Sequence, residues 1–333
     1  MLLRRTRGRY VAAKNTGGSK MKKYAFGIDV GGTTCKIGFF ETNGKLIDKW
    51  EIKTNTENNG AAILSDIAQA VDNKLAQEGI SKDDVQGVGI GVPGPVKSNG
   101  VVNRCVNLGW GIVNVEEELG NLTGLKVKAG NDANVAALGE MWQGAAKGCK
   151  DVIMVTLGTG VGGGIILNGK MLAGTNGAGG EIGHICVNDD ETEVCGCGNK
   201  GCLEQYTSAT GIVRMAKIIL NTTDKPSKLR QIQYISAKEI FDAAKEGDEL
   251  AATLVENHGK VLGKALAQIA CVVDPEIFVI GGGVSRAGDI LIDTTAKYFA
   301  QYAFHACRQT KFALATLGND AGMYGGACSI LNQ

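Results

Sequence analysis

Between Glu181 and Glu204 the chain carries His184, Cys195, Cys197 and Cys202 in the spacing H-x10-C-x-C-x4-C. Three thiolates and one imidazole complete a tetrahedral zinc shell with no open position, so a metal held here would be structural. Gly196, Gly198 and Gly201 let the backbone fold tightly enough to aim all four groups at one point. The plain alternative is a glycine-rich loop with unrelated free thiols, and three cysteines within eight residues argue against it. A metal that fixes this loop also fixes Glu181 and Glu204, the carboxylates at its two ends.

The rest of the chain is organised as two similar halves. Residues 24–29 and 35–40 read as apolar strands joined by a Gly-Gly turn, with a third strand near 45–52 after the hairpin signal Asn43-Gly44. Ala61, Ile63, Leu64, Ile67, Ala68, Val71, Leu75 and Ala76 then recur at helical spacing. A buried strand runs into a Gly-Pro loop over VQGVGIGVPGPV, a further strand covers 126–130, and a helix over 131–145 is capped by Asn131 or Asp132. Residues 151–167 restart the pattern as strand, Gly/Thr turn, strand, and Asn168-Gly169 offers another turn. Helices follow near 207–220, 237–246 and 249–272, with a surface loop at 221–231 between the first two. A strand within 276–285 delivers three glycines to a helix near 287–302, and a strand near 311–316 precedes a last helix from about 320.

Composition narrows the function classes. Apolar residues make up 44% and charged residues 21% of 333, and Lys plus Arg, at 35, nearly equals Asp plus Glu, at 34. Such a balance gives no electrostatic case for nucleic acid or a membrane as partner and favours a small molecule. Cys35, Cys149, Cys271, Cys307 and Cys328 read as small hydrophobes rather than disulfide partners, which suits a reducing, cytoplasmic setting. No apolar run reaches membrane-spanning length. Residues 1–20 are basic but lack the core of a secretion signal, and read as an overextended start, a cloning remnant or a disordered tail rather than a nucleic-acid arm.

Several residues could carry chemistry. At Asp29-Val30-Gly31-Gly32-Thr33-Thr34 two glycines allow backbone amides to approach a polyphosphate, the threonines add hydroxyl donors, and Asp29 can hold Mg²⁺ through water. A bare type I′ turn would use the same glycines. The second turn, Gly158-Thr159-Gly160-Val161-Gly162, strengthens the phosphate reading, since two such turns can clamp a nucleotide from both sides. Neither matches GxxxxGK[ST], which disfavours a P-loop fold. Asp132 opens a helix, where capping explains a carboxylate, yet the same position suits a base that takes a proton from an attacking hydroxyl. Lys36 is placed to add positive charge or is an ordinary exposed strand lysine. Trp110 walls a site or fills a core. His258 and His305 read as surface or satisfied core residues.

GIDVGGT at 27–33, NDAN at 131–134, LGTGVGGG at 157–164, GEIGH at 180–184 and CGCGNKGCLE at 195–204 together resemble the ROK family of sugar kinases and sugar-responsive repressors, particularly its glucokinases. The resemblance runs from about Met21 to the C-terminus. It implies an α/β, two-lobed actin-like ATPase (ribonuclease H-like) fold with a zinc-stapled loop. The corresponding division is a leader at 1–20, an N-terminal lobe at 21–133, a C-terminal lobe at 134–317 with the zinc loop at 184–202, and a helix at 318–333 that packs back on the N-terminal lobe. It further implies ATP, Mg²⁺ and a structural Zn²⁺, with a hexose, glucose in the glucokinases it resembles, as acceptor. Asp132 becomes the base for the sugar's 6-hydroxyl, and Asn131, Glu181, His184 and Glu204 bond its other hydroxyls. ATP lies against Asp29, Gly31, Gly32, Thr33, Thr34, Thr159, Gly160 and Gly162, with Gly281, Gly282 and Gly283 flanking the adenosine. A homodimer or homotetramer is implied, and polyphosphate remains open as a donor. The alternatives are another hexose, such as mannose, fructose or an N-acetylhexosamine, and a sugar-sensing repressor. The two dozen residues before the first strand are too few for the repressors' DNA-binding unit.

Overall fold

The computed structural model describes residues 21–332, so the expectations for the leader 1–20 and for Gln333 lie outside the described residues. Strands β1 (Tyr24–Val30), β2 (Thr34–Glu41) and β3 (Leu46–Lys53) form an antiparallel meander. After a single turn α1 (Glu57–Gly60) and helix α2 (Ile63–Glu78), strand β4 (Val85–Val92) returns parallel to β1. A small ribbon of β5 (Val101–Val102) and β6 (Val113–Asn114) leads into α3 (Val115–Thr123), β7 (Val127–Asn131) and α4 (Asp132–Gln143). The second half repeats the meander as β8 (Val152–Leu157), β9 (Val161–Leu167) and β10 (Lys170–Met171). It continues with the turn α5 (Glu204–Thr207), helices α6 (Ala209–Thr222), α7 (Ala237–Lys245) and α8 (Glu249–Val273), strand β11 (Ile277–Gly281), α9 (Asp289–Tyr302), β12 (Lys311–Leu314) and α10 (Ala321–Leu331).

The two sheets have the orders β3-β2-β1-β4-β7 and β10-β9-β8-β11-β12, which are the same topology. Each centres on a strand buried on both faces, as a near-continuous apolar run requires. One core gathers Phe26, Ile28, Ile37, Ile67 and Val88 under α2, and another gathers Ile153, Leu262, Leu266 and Phe278 under α8. Between the sheets lie α4, packed on β8 and β9, and α10, packed on β1 and β4, with the two helices against each other. Glycines make that approach possible. A Cβ on Gly89 would stand 1.7 Å from the Gly326 carbonyl oxygen, and one on Gly325 1.6 Å from that of Val135.

Four expectations need correction. Helix α3 was not foreseen, although Asn114 caps it, Glu116–Glu118 fill its first turn and the left-handed Gly124 ends it. The loop at 221–231 contains the helical turn Lys228–Gln231, which buries Leu229 completely. Cys271 is exposed, so it is not a core hydrophobe. Gly283–Ala287 forms a tight helical turn, and α9 starts only at Asp289.

Candidate active site

β1 delivers Asp29 to the mouth of the space between the sheets, opposite Lys36 in the β1–β2 register. Two places along the same sheet β7 ends in Asn131, and α4 begins with Asp132. The cap question resolves here: the Asn131 Oδ1 accepts the Asn134 N–H at 3.2 Å, while its Nδ2 donates to the Gly94 carbonyl at 3.1 Å. Asp132 is therefore free of capping. Its Oδ1 accepts the neighbouring Ala133 N–H, at 2.8 Å, and the carboxylate lines a cleft of about 750 Å³.

That cleft brings together Asp29, Asp132, Gly160, Gly162, Glu204, Gly281, Gly282 and Gly283 among the residues singled out from the sequence. Lys36, also named from the sequence, lines it with its Nζ donating to the Asn319 carbonyl at 3.1 Å, and the cleft adds Ser285, Arg286 and Asn319. Ser285 and Arg286 follow the triple glycine after Val284, a signal that could have named them. Asn319 comes from the crossover into α10 and has no local signature. Gly31, Gly32, Thr33 and Thr34 form the β1–β2 turn outside the cleft lining, and Asn131, Glu181 and His184 also stand outside it. Thr159 lines a second cavity of about 650 Å³ instead, so the Gly158–Gly160 turn is the wall between the two spaces.

Burial sets the electrostatics of the carboxylate pair. Asp29 is pushed up from 3.8 to about 6, first by desolvation and then by the Asp132 carboxylate, against the opposing pull of Lys36. Asp132 is also raised, chiefly by burial; the Ala133 N–H opposes this and the Glu181 carboxylate adds to it. The Asp29 carboxylate at the cleft lining is a hard oxygen ligand of the kind that suits a divalent cation such as Mg²⁺. In the ligand-free protein Asp29 stabilises the fold most while protonated. That contribution is full below 3.8 and is lost as pH rises through about 6. Asp29→Asn, which cannot ionise, is thus expected to raise the melting temperature at pH 7.5 and to flatten its pH dependence between about 4 and 6. Parallel wild-type and variant curves in a pH series of thermal melts would exclude this.

Beside the cleft, one ligand atom each from His184, Cys195, Cys197 and Cys202 lies within 4.8 Å of the others. The Cys197 and Cys202 sulfurs are 3.6 Å apart, and the Cys195 sulfur is 3.8 Å from the His184 Nδ1. Zinc–sulfur bonds of about 2.3 Å at tetrahedral angles put sulfurs about 3.8 Å apart, so the set fits zinc as it stands. Burial pushes the Cys195 thiol up to about 12, and a dication would deprotonate it outright. With Nδ1 turned to the thiols, the His184 Nε2 faces the Glu181 carboxylate at 4.0 Å. Glu204 joins both regions: its Oε1 accepts from the Cys195 thiol at 2.9 Å and its Oε2 accepts the Val161 N–H at 3.4 Å. Trp110 is core, with its indole N–H on the Gly60 carbonyl at 3.1 Å.

Two like-built α/β halves, with Asp29 and Asp132 from the first and the glycine turns of the second around one polar cleft, are the actin-like ATPase fold of a phosphotransferase. Residues 25–333 match the sequence model of the ROK family. The chain is 44% identical to a glucokinase of Halalkalibacterium halodurans over 93% of its own length and 96% of the relative's. It is 31% identical to an N-acetylgalactosamine kinase of a Shewanella species, over 91% and 95%. It superimposes on a ROK family glucokinase from Streptomyces griseus in complex with glucose and AMPPNP with a TM-score of 0.68, at 33% identity and covering 91% and 98% of the two chains. This chain belongs to the ROK family.

Proposed function

We propose that the protein is an ATP-dependent glucokinase, transferring the γ-phosphoryl group of ATP to the 6-hydroxyl of glucose. The observation that carries this reading is the 44% identity to a glucokinase over almost the whole of both chains. The cleft supplies a matching chemistry. Asp132, half-buried and not used as a cap, takes the proton of the sugar hydroxyl as its oxygen bonds to the γ-phosphorus and the bond to the β-phosphate oxygen breaks. Asp29 would hold Mg²⁺ through water, and the ion would neutralise charge on the phosphates. Lys36 adds a fixed positive charge, while Gly160 and Gly281–Gly283 leave room for phosphates and adenosine against bare backbone.

Glu204, Glu181 and the His184 Nε2 would bond the remaining sugar hydroxyls, joined by the Asn131 amide N–H that the Gly94 carbonyl does not take. The turn at Gly31–Thr34, with Thr159, would reach the phosphates when the lobes 21–133 and 134–317 close, which also excludes water. A homodimer or homotetramer in the cytoplasm belongs to the same reading. Among the described residues no helix is long and apolar enough to cross a membrane.

The test is ADP release with ATP and Mg²⁺ on glucose, mannose, fructose and N-acetylated hexosamines in parallel. Glucose should show the highest kcat/KM. A higher value for N-acetylgalactosamine or another acceptor would move the protein to a second reading, which the 31% identical relative favours. Zinc at His184, Cys195, Cys197 and Cys202 would staple the loop that carries both glutamates. Accordingly Cys197→Ser should lose bound zinc, measured by elemental analysis, and lower both the melting temperature and kcat/KM. Undiminished zinc with an unchanged melt would remove the metal from this account.

A further inference from the structure

His258 sits in the middle of α8 and is 3% exposed, with its ring edge-on to Phe241 at 5.7 Å between centroids. Its Nε2 lies 2.9 Å from the Thr207 carbonyl oxygen, which can only accept, so the ring proton is on Nε2. Nδ1 is buried and has no partner among the described residues. Burial lowers the pKa to about 4, so the ring is neutral at physiological pH and keeps that single proton. As core filling this is a poor choice, because an orphaned buried polar atom costs about 1–3 kcal/mol that a phenylalanine would not incur. What the imidazole supplies is one directed N–H.

The recipient of that N–H is central to the site. Thr207 closes the turn that begins with Glu204, two residues after the zinc-loop Cys202. The next residues hold the glycine turn of the second sheet: the Ala209 N–H donates to the Gly158 carbonyl at 2.8 Å and the Thr210 hydroxyl to that of Thr159 at 2.7 Å. Ser208 knits the segment, donating from Oγ to the Glu204 carbonyl at 2.6 Å. We propose that His258 is a positioning residue for phosphoryl transfer: its Nε2–H anchors residues 204–210 to α8 and thereby sets Glu204 and the Gly158–Gly160 turn in the cleft together. This rests on the kinase reading for its catalytic consequence, and on the hydrogen bonds alone for its structural one.

The experiment compares full-length wild-type protein with His258→Phe and His258→Gln. In His258→Phe the ring volume and the contact with Phe241 persist, and the orphaned Nδ1 is exchanged for an orphaned Thr207 carbonyl, so the melting temperature should stay within about 2 °C. Meanwhile kcat/KM for glucose should fall about tenfold or more, with both kcat and KM changed, because misplaced groups lose transition-state stabilisation. Amide hydrogen exchange should quicken over residues 203–211. His258→Gln, whose amide can donate to Thr207, should recover most of the activity and protection. Wild-type kinetics and exchange in His258→Phe would overturn the proposal, as would equal losses in both variants that merely track a lowered melting temperature. Should the wild-type protein phosphorylate no sugar, the kinase reading fails, and hydrogen exchange at 203–211 still decides whether His258 anchors the segment.

Discussion

Asp132→Asn is expected to lower kcat by about 10²–10⁴-fold while leaving glucose affinity nearly unchanged, the range over which a positioned general base acts. The substitution is close to isosteric, and because Asn131 caps α4, the helix start should survive it. An amide cannot accept the hydroxyl proton at neutral pH, so the loss falls on the chemical step. Thermal melting and sugar binding by calorimetry should match wild type, and near-normal kcat would reduce Asp132 to a first-turn helix residue. The raised pKa of Asp132 carries a further consequence: the acid limb of kcat/KM should lie above the ordinary carboxylate range.

Glu140→Ala is expected to destabilise the protein by about 3 kcal/mol, because it takes the acceptor from four partly buried donors at once. Glu140 is fully buried near the end of α4, and among the described residues no cation pairs with it. Instead its Oε2 accepts the Ala145 N–H at 2.8 Å and the N–H and hydroxyl of Thr316 at 3.2 and 3.3 Å. Its Oε1 accepts the Leu317 N–H at 2.8 Å. Ala145 lies where the chain passes from the first sheet to the second, and Thr316 and Leu317 where it passes back. One carboxylate therefore ties both crossings together. Urea denaturation of Glu140→Ala should show a midpoint well below wild type, and Glu140→Gln, which keeps one acceptor oxygen, should fall between. A Glu140→Ala midpoint within error of wild type would mean that water replaces these bonds without penalty.

Much of this was legible locally. The strands and their glycine turns follow from short apolar runs broken by residues without a Cβ, and α2, α7 and α8 from 3.6-residue spacing. The clustering of His184, Cys195, Cys197 and Cys202 could be read from separation alone, since a tight loop brings near neighbours to one point. Helix α3 carried its signals, Asn114, three glutamates and Gly124, but its weakly apolar sequence and the irregular stretch before it hid them. Asp132 could not be settled from its position, because either Asn131 or Asp132 can cap, and only the backbone at 131 decides.

What the sequence alone determined is the set of local structures and the residue types at the chemistry: two repeats of one β-meander, a metal-binding loop and a carboxylate at a helix start. The tertiary structure decided what these residues face. It turned Thr159 toward a second cavity while its neighbours Gly158 and Gly160 line the cleft, brought Lys36 to Asn319 across 283 positions, and set Glu140 and His258 beneath segments far away in the chain. The physical reason is that periodicity and turn chemistry act over a few residues, whereas a buried hydrogen bond between distant segments exists only once two faces have packed and water has left.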